Sequence, residues 1–158
     1  MKHLETNDIL VDNQHGFRQK WSTETQLLIT LHEIASALNE KKASHLAILD
    51  FTKAFDKLPR ERLLLKLHHY GISGALNNWL RSFLTNRTQQ TVCDGVSSPP
   101  KQVVSGVPQG TVLGPLLFLL YVNDLTSDLA CQTRLFTDDC LLHITITTAA
   151  DMDKLQLI

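Results

Sequence analysis

The chain has 158 residues, of which 43% are hydrophobic and 20% are charged, and its formal net charge is −1. This length and composition predict one globular domain with a hydrophobic core and exclude a disordered or fibrous protein. The near-neutral charge gives no overall basic surface of the kind that attracts nucleic acids, although a local basic face remains compatible with it.

The cysteines, histidines and apolar runs exclude several other kinds of site. Cys93, Cys131 and Cys140 show no CxxC spacing, which predicts reduced thiols in an intracellular protein. The histidines show no HExxH or other paired-ligand spacing. The polar start MKHLETNDIL predicts no signal peptide, and the longest apolar run, 112–122, is shorter than the ~20 residues of a membrane span. We therefore expect a soluble protein with no membrane partner.

Three helices are predicted in the first half of the chain. Apolar residues at helical spacing indicate an amphipathic helix over 22–40, capped by Ser22 or Thr23. A second helix opens at Pro59 and stops at Gly71, in keeping with proline at helix starts and glycine past helix ends. Ser73 caps a third helix.

The predicted strands lie on both sides of these helices. HLAILDF at 45–51 is short and apolar, and it predicts a buried strand that ends in an acid. TQQTVC and KQVV predict a hairpin with a long loop, and GVPQG predicts a loop that leads into a buried helix ending toward Asn123. The segment 132–146 predicts two short strands with a turn between them. Because strands and helices do not alternate strictly, we expect an α+β fold.

Three acids are notable because each ends or interrupts an apolar strand: Asp50, Asp138 and Asp139. A lone aspartate at such a place is typically a turn or cap residue. Together, however, carboxylates from two strands supply the hard oxygen ligands that Mg²⁺ prefers, and two such ions promote phosphoryl transfer. Sequence spacing alone does not show that Asp50 meets Asp138 in space.

Three segments carry a resemblance to a known family. AILDFTKAFDKLP (47–59), SGVPQGTVLGPLLFLLYVNDL (105–125) and LFTDDCLLH (135–143) resemble, in the right order, motifs A, B and C of reverse transcriptases. The resemblance is closest to non-LTR (LINE-type) retrotransposons, whose stretch before motif A is similar to QHGFRQKWSTETQLL. It implies a partial reverse transcriptase domain, with a fingers-side segment at 1–45 and a palm at 46–158, truncated before the thumb. The palm is expected to be an antiparallel sheet with packed helices.

The resemblance also implies the metal ligands. Asp50 matches the motif A aspartate that binds both catalytic metals, and Phe51 would offer its backbone carbonyl to one of them. Asp138 and Asp139 match the acidic pair of motif C, with Asp138 as the main ligand. The implied cofactor is a pair of Mg²⁺ ions, for which Mn²⁺ could substitute. FTDD stands where these elements usually read FADD or YADD, so Thr137 adds a hydroxyl that needs a partner if it is buried.

The resemblance implies five residues at the nucleotide, and Phe51, already named as a metal ligand, is one of them. Phe55 would exclude a 2′-hydroxyl and so select deoxynucleotides, although core packing also explains a phenylalanine. Gln109 and Gly110 match the motif B loop, which without the resemblance is a turn at a helix start. Arg18 could face phosphate or template, or it could be a surface arginine.

The implied function is RNA-directed DNA synthesis in the cytoplasm and nucleus, with an RNA template, a DNA primer and dNTPs as partners. The expected remainder of a longer polyprotein includes further fingers and the thumb, so the chain is expected to expose sheet edges and apolar surface. The alternative is a catalytically inactive remnant that binds nucleic acid or protein weakly. An unrelated Mg²⁺-dependent phosphohydrolase would leave GVPQGTVLGPLLF unexplained.

Overall fold

The computed structural model describes residues 2–127 and 129–153. Its helices are α1 (Lys2–Thr6), α2 (Thr23–Asn39), α3 (Ala54–Lys57), α4 (Arg60–His69), α5 (Gly74–Leu84), α6 (Leu113–Val122) and α7 (Ala149–Asp153). Its strands are β1 (Ala43–Asp50), β2 (Arg87–Gln89), β3 (Val92–Cys93), β4 (Val96–Ser97), β5 (Lys101–Val103), β6 (Gln132–Phe136) and β7 (Asp139–Ile146). Antiparallel sheets with helices confirm the predicted α+β class.

The chain divides into two compact units. Of the described residues, the first unit comprises 2–52, 122–127 and 129–153, and the second comprises 53–121. The predicted division into a fingers-side segment and a palm stays a prediction, and residues 154–158 of the predicted palm lie outside the described residues. No helix among the described residues is both long and apolar enough to cross a membrane.

A three-stranded antiparallel sheet in the order β1-β7-β6 forms the centre of the first unit. Leu135, Cys140 and Leu142 form a buried cluster on one of its faces. The prediction of a buried strand at 45–51 is wrong in one respect, because β1 forms but most of its side chains are exposed, Ile48 to 73%. An apolar run indicates a strand, whereas burial also requires other elements packed on the faces of the sheet. In the described residues β1 is an edge strand that pairs only with β7.

Helix α2 packs on the other face of this sheet through polar and small residues. The predicted cap is confirmed, since Ser22 accepts a hydrogen bond from Thr25 N–H and Thr25 reciprocates. Glu33 pairs with Arg134 of β6 and with His143 of β7, and Thr30 and Ala37 are buried. The leucines of the helix lie on its exposed side, with Leu28 exposed to 67%. Exposed apolar surface was expected of this chain, and the leucines of α2 form part of it.

In the second unit, α4 and α5 pack through buried leucines, which are Leu63, Leu64, Leu67, Leu80 and Leu84. Asn77 of α5 donates to the carbonyl oxygens of Leu64 and Ile72, which fixes the connection between the helices. The predicted hairpin is confirmed as the pair β2–β5, and a second small hairpin, β3–β4, lies within its loop. The predicted helix after the GVPQG loop is confirmed as α6.

Candidate functional site

Two of the three predicted carboxylate ligands face each other in the first unit. Asp50 is the last residue of β1 and Asp139 the first residue of β7, and they are direct cross-strand partners. Side chains in this relation point to the same face of the sheet, with Cβ atoms about 4.5–5.5 Å apart. Both residues are exposed, and Asp138 directly precedes Asp139 in the turn between β6 and β7. The sheet register therefore brings motif A and motif C together, as the sequence alone could not show.

The carboxylates of Asp50, Asp138 and Asp139 are unpaired in the part of the chain that the structure describes. None of the three forms a hydrogen bond or ion pair with a side chain in residues 2–127 and 129–153. Two carboxylates in a cross-strand pair repel each other, and a divalent cation between them removes that repulsion. The chemistry of the donors therefore fits Mg²⁺. Across the described ranges, however, no three acidic, histidine or cysteine side chains lie close enough together to form a metal-binding cluster. The carboxylate of Asp138 therefore does not converge with those of Asp50 and Asp139 in this structure.

The turn that carries Asp138 is tight and strained. Phe136 and Asp139 pair with each other, which leaves Thr137 and Asp138 as a two-residue hairpin turn. Thr137 is buried and has a φ of +60°. A β-branched residue rarely adopts this left-handed conformation, and residues held in such regions cost on the order of 1–3 kcal/mol. Surrounding contacts must therefore hold the turn.

The segment before α2 makes those contacts. Its polar run NQHG is the one local feature of the sequence that could have indicated them. Gln14, which is 1% exposed, accepts a hydrogen bond from Thr137 N–H at 3.0 Å. Gly16 packs so closely on the turn that a Cβ atom there would lie 2.5 Å from Thr137 N.

Two further predicted residues lie in the first unit. Phe51 follows Asp50 and is 38% exposed. The guanidinium of Arg18 is held by the chain itself: it donates to the carbonyl oxygen of Val11 at 2.7 Å, lies 3.6 Å from the Asp12 carboxylate and stacks over Trp21. The predicted contact of Arg18 with nucleotide or template stays a prediction.

Phe55, Gln109 and Gly110 all lie in the second unit. The ring of Phe55 stacks on Phe118 at 4.5 Å between centroids, so it is packed on one side and half-buried. The Gln109 amide donates to Asp56 Oδ1 at 2.8 Å, which orients it. Gly110 has a φ of +73° with open space around the position of a Cβ atom, so the backbone conformation is what requires glycine.

A polar cleft of about 590 Å³ lies beside Gln109 within the second unit. Its lining includes Lys53, Arg60, Arg87 and Gln109. The Arg60 guanidinium donates hydrogen bonds to three backbone carbonyl oxygens, those of Val103, Ser105 and Gly106. Burial, and secondarily the charge of Arg87, lower the pKa of Arg60. Because the Arg60 donors are committed to the backbone, the Lys53 ammonium and the Arg87 guanidinium are the groups of the lining that suit a phosphate-bearing ligand.

Comparisons with known proteins agree with the resemblance to reverse transcriptases. The family profile described as "Reverse transcriptase (RNA-dependent DNA polymerase)" matches residues 1–156. The probable RNA-directed DNA polymerase from transposon BS of Drosophila melanogaster is 31% identical over 150 residues, which is 91% of this chain and 15% of that protein. The RNA-directed DNA polymerase from the mobile element jockey of the same species is 35% identical over 112 residues, 71% of this chain and 12% of that protein.

Solved structures show the same fold at low sequence identity. A telomerase from Candida tropicalis, truncated from the C-terminal domain, matches 98% of this chain and 34% of its own, with a TM-score of 0.68 and 13% identity. A telomerase from Candida albicans in complex with a fragment of telomeric RNA matches with a TM-score of 0.70 and 13% identity, over 99% of this chain and 31% of its own. The chain belongs to the reverse transcriptase (RNA-dependent DNA polymerase) family, and its resemblance to the non-LTR retrotransposon members is confirmed.

Proposed function

We propose that the chain is the catalytic core of an RNA-directed DNA polymerase from a non-LTR retrotransposon, which extends a DNA primer along an RNA template with dNTPs. The observation that carries this proposal is the cross-strand pair of Asp50 and Asp139 in a chain of this family. Both carboxylates are exposed, and neither has a side-chain partner among the described residues. Sequence selection would come from base pairing with the template. The protein would position the reacting groups and stabilise charge.

The proposed cofactor is a pair of Mg²⁺ ions, with Mn²⁺ as a possible substitute. Asp50, Asp138 and Asp139 would hold them, with the backbone carbonyl of Phe51 as a further ligand. When bound, such ions stabilise the attacking and leaving oxygens of a phosphoryl transfer. The chain's own contribution is to keep acids from two strands at one sheet end, which the antiparallel register of β1 and β7 supports.

For the nucleotide we propose a division of roles in the second unit. Gln109, oriented by Asp56, would contact the nucleotide or template, while Gly110 lets the loop backbone approach closely. Phe55, fixed by its stack on Phe118, would exclude a 2′-hydroxyl. Arg18 would act near template or phosphate, although its present contacts are within the chain.

We further propose that synthesis requires the longer polymerase. The chain spans 15% of the transposon BS protein and 12% of the jockey protein. The exposed leucines of α2 form an apolar surface on which other segments of a longer polymerase could pack. Because such synthesis needs both RNA and chromosomal DNA, we propose the cytoplasm and nucleus as its sites of action.

The test is primer extension by a chimera. Residues 1–158 replace the matching segment of the jockey polymerase, and incorporation of dNTPs on an RNA template is measured with Mg²⁺. We expect an active chimera in which Asp50→Asn or Asp138→Asn lowers the rate by at least about 100-fold, because losing a metal ligand removes several kcal/mol of transition-state stabilisation. Asp94→Asn, at the exposed turn between β3 and β4, is the matched control and should keep full activity.

Three results would contradict the proposal. Retained synthesis in both aspartate variants would remove the metal-ligand assignment. An inactive chimera beside an active jockey polymerase would favour an inactive remnant. Robust synthesis by the isolated 158-residue chain, abolished by Asp138→Asn, would show that the longer polymerase is not required.

A further inference from the structure

The segment Asn13–Gly16 lies along the edge of β6 that does not pair with β7. The amide of Leu135 donates to Asn13 O at 2.8 Å, and the amide of His15 donates to Leu135 O at 2.8 Å, which forms a short parallel bridge. The Asn13 side chain also donates to Thr133 O at 2.9 Å. This segment is therefore registered against the strand that leads into the Thr137–Asp138 turn.

The side chain of Gln14 reaches past the end of that strand and holds Thr137 from both sides. Its Oε1 accepts from Thr137 N–H at 3.0 Å and from Gly16 N–H at 2.7 Å, and its Nε2 donates to Thr137 O at 3.5 Å. The carbonyl of Thr137 belongs to the peptide that begins Asp138. Gln14 therefore contacts both peptide groups that flank the left-handed residue of the turn.

Gly16 completes this contact by its size. A Cβ atom on Gly16 would lie 2.5 Å from Thr137 N and 2.6 Å from Thr137 Oγ1, closer than any side chain allows. The close approach also brings Gly16 N–H to the same oxygen of Gln14. A buried amide satisfied in this way has one favoured orientation.

We propose that Gln14 is a positioning residue for the metal site: it holds Thr137 at its positive φ and thereby sets the direction in which Asp138 and Asp139 present their carboxylates. This inference rests on the proposed function, because it assumes that the two acids bind a divalent cation. Gln14 touches neither metal nor nucleotide in this role and acts through the turn.

The first test measures Mn²⁺ affinity by electron paramagnetic resonance on the purified chain. Gln14→Met keeps the volume of the side chain but removes its hydrogen bonds, and we expect about tenfold weaker Mn²⁺ binding, as when a group that supports a metal ligand is lost. Asn13→Ala is the matched control, since it removes a hydrogen bond to the same strand away from the turn, and it should keep the affinity within about twofold. Asp138→Asn reports whether the cation uses the proposed site.

The second test asks whether the effect passes through the turn. Glycine adopts a positive φ freely, so Thr137→Gly should relieve the need for Gln14 and restore Mn²⁺ affinity to the Gln14→Met chain. Amide hydrogen exchange at Thr137 should accelerate about tenfold in Gln14→Met, since one hydrogen bond is lost, while exchange at Leu135 stays unchanged. A merely structural role would accelerate both amides together. If Gln14→Met does not fold, Gln14→Asn keeps an amide but shortens its reach and serves instead.

The outcomes separate this inference from the proposed function. If Asp138→Asn loses Mn²⁺ while Gln14→Met binds it as the unaltered chain does, the positioning role is overturned and the metal site stands. If the unaltered chain binds no Mn²⁺, or Asp138→Asn binds it normally, the metal site is overturned and the inference with it. Loss of affinity in Gln14→Met, with recovery by Thr137→Gly, supports both.

Discussion

Replacement of Arg60 by methionine tests how the second unit holds the segment that leads into the GVPQG loop. Arg60 is 8% exposed and donates three hydrogen bonds to backbone carbonyls: Nε to Gly106 O at 2.9 Å, Nη1 to Val103 O at 2.6 Å and Nη2 to Ser105 O at 2.7 Å. Methionine keeps much of the apolar stem and removes all three donors. The carbonyls then lose their partners while the packing changes little.

The expected loss of stability is about 3 kcal/mol. Hydrogen bonds to a charged group contribute roughly 1.5–3 kcal/mol each, so a simple sum over three gives about 4.5–9 kcal/mol. Such terms are not additive, and removing a buried guanidinium also removes its desolvation cost, which is visible in the lowered pKa of Arg60. We therefore start from the lower end of this range, about 4.5 kcal/mol, and expect about two-thirds of it, which is about 3 kcal/mol.

Urea unfolding followed by far-ultraviolet circular dichroism measures this loss. Arg62→Met is the matched control, because Arg62 lies on the same helix and is exposed, so its removal should change the unfolding free energy by no more than about 0.5 kcal/mol. Hydrogen exchange over residues 101–107 should accelerate only in the Arg60 variant. If Arg60→Met is within about 1 kcal/mol of Arg62→Met, the three hydrogen bonds do not hold this segment and the reasoning is refuted.

Three other measurements follow from burial and backbone geometry. Burial raises the pKa of the Cys140 thiol, so iodoacetamide at pH 8 should modify exposed Cys93 and spare Cys140, and equal modification seen by mass spectrometry would contradict this. Burial, followed by two nearby arginines, lowers the pKa of His15 from 6.5, so folding favours its neutral form. The stability that His15 contributes is complete above pH 6.5 and is lost as the pH falls through its lower pKa in the folded state. Urea titrations at several pH values measure this, and His15→Phe should make the unfolding free energy less dependent on pH. An unchanged pH profile would exclude His15 as the source of the dependence. Gly110→Ala should lower the unfolding free energy by about 1 kcal/mol from backbone strain alone, because a Cβ atom there meets no neighbour; an unchanged urea midpoint would argue against the positive φ.

Local patterns in the sequence predicted most of the elements, because capping and turn signals act over a few residues. Ser22 at the start of α2, Pro59 before α4 and the turn at Thr137–Asp138 are of this kind. The three motifs also identified which acids to follow. The sheet register then supplied what they lacked, namely that Asp50 lies opposite Asp139.

The contacts that hold the site could not be predicted, since they join residues far apart in the chain. Gln14 and Thr137 are 123 positions apart, and Arg60 reaches carbonyls more than 40 positions away. Nothing in the local pattern marks either side chain as buried. The outward leucines of α2 have a related cause: periodicity identifies two faces of a helix, but the polar partners Arg134 and His143 on the sheet determine which face packs.

The position of β1 has a consequence for work with the purified chain. In the described sheet this strand has a hydrogen-bonded neighbour on one side only, and it presents eight residues without proline or lysine, several of them apolar and exposed. A strand of this kind accepts the backbone of another chain, which leads to edge-to-edge association. Such pairing would bring a second backbone alongside Asp50, so protein concentration becomes a variable in any measurement of cation binding.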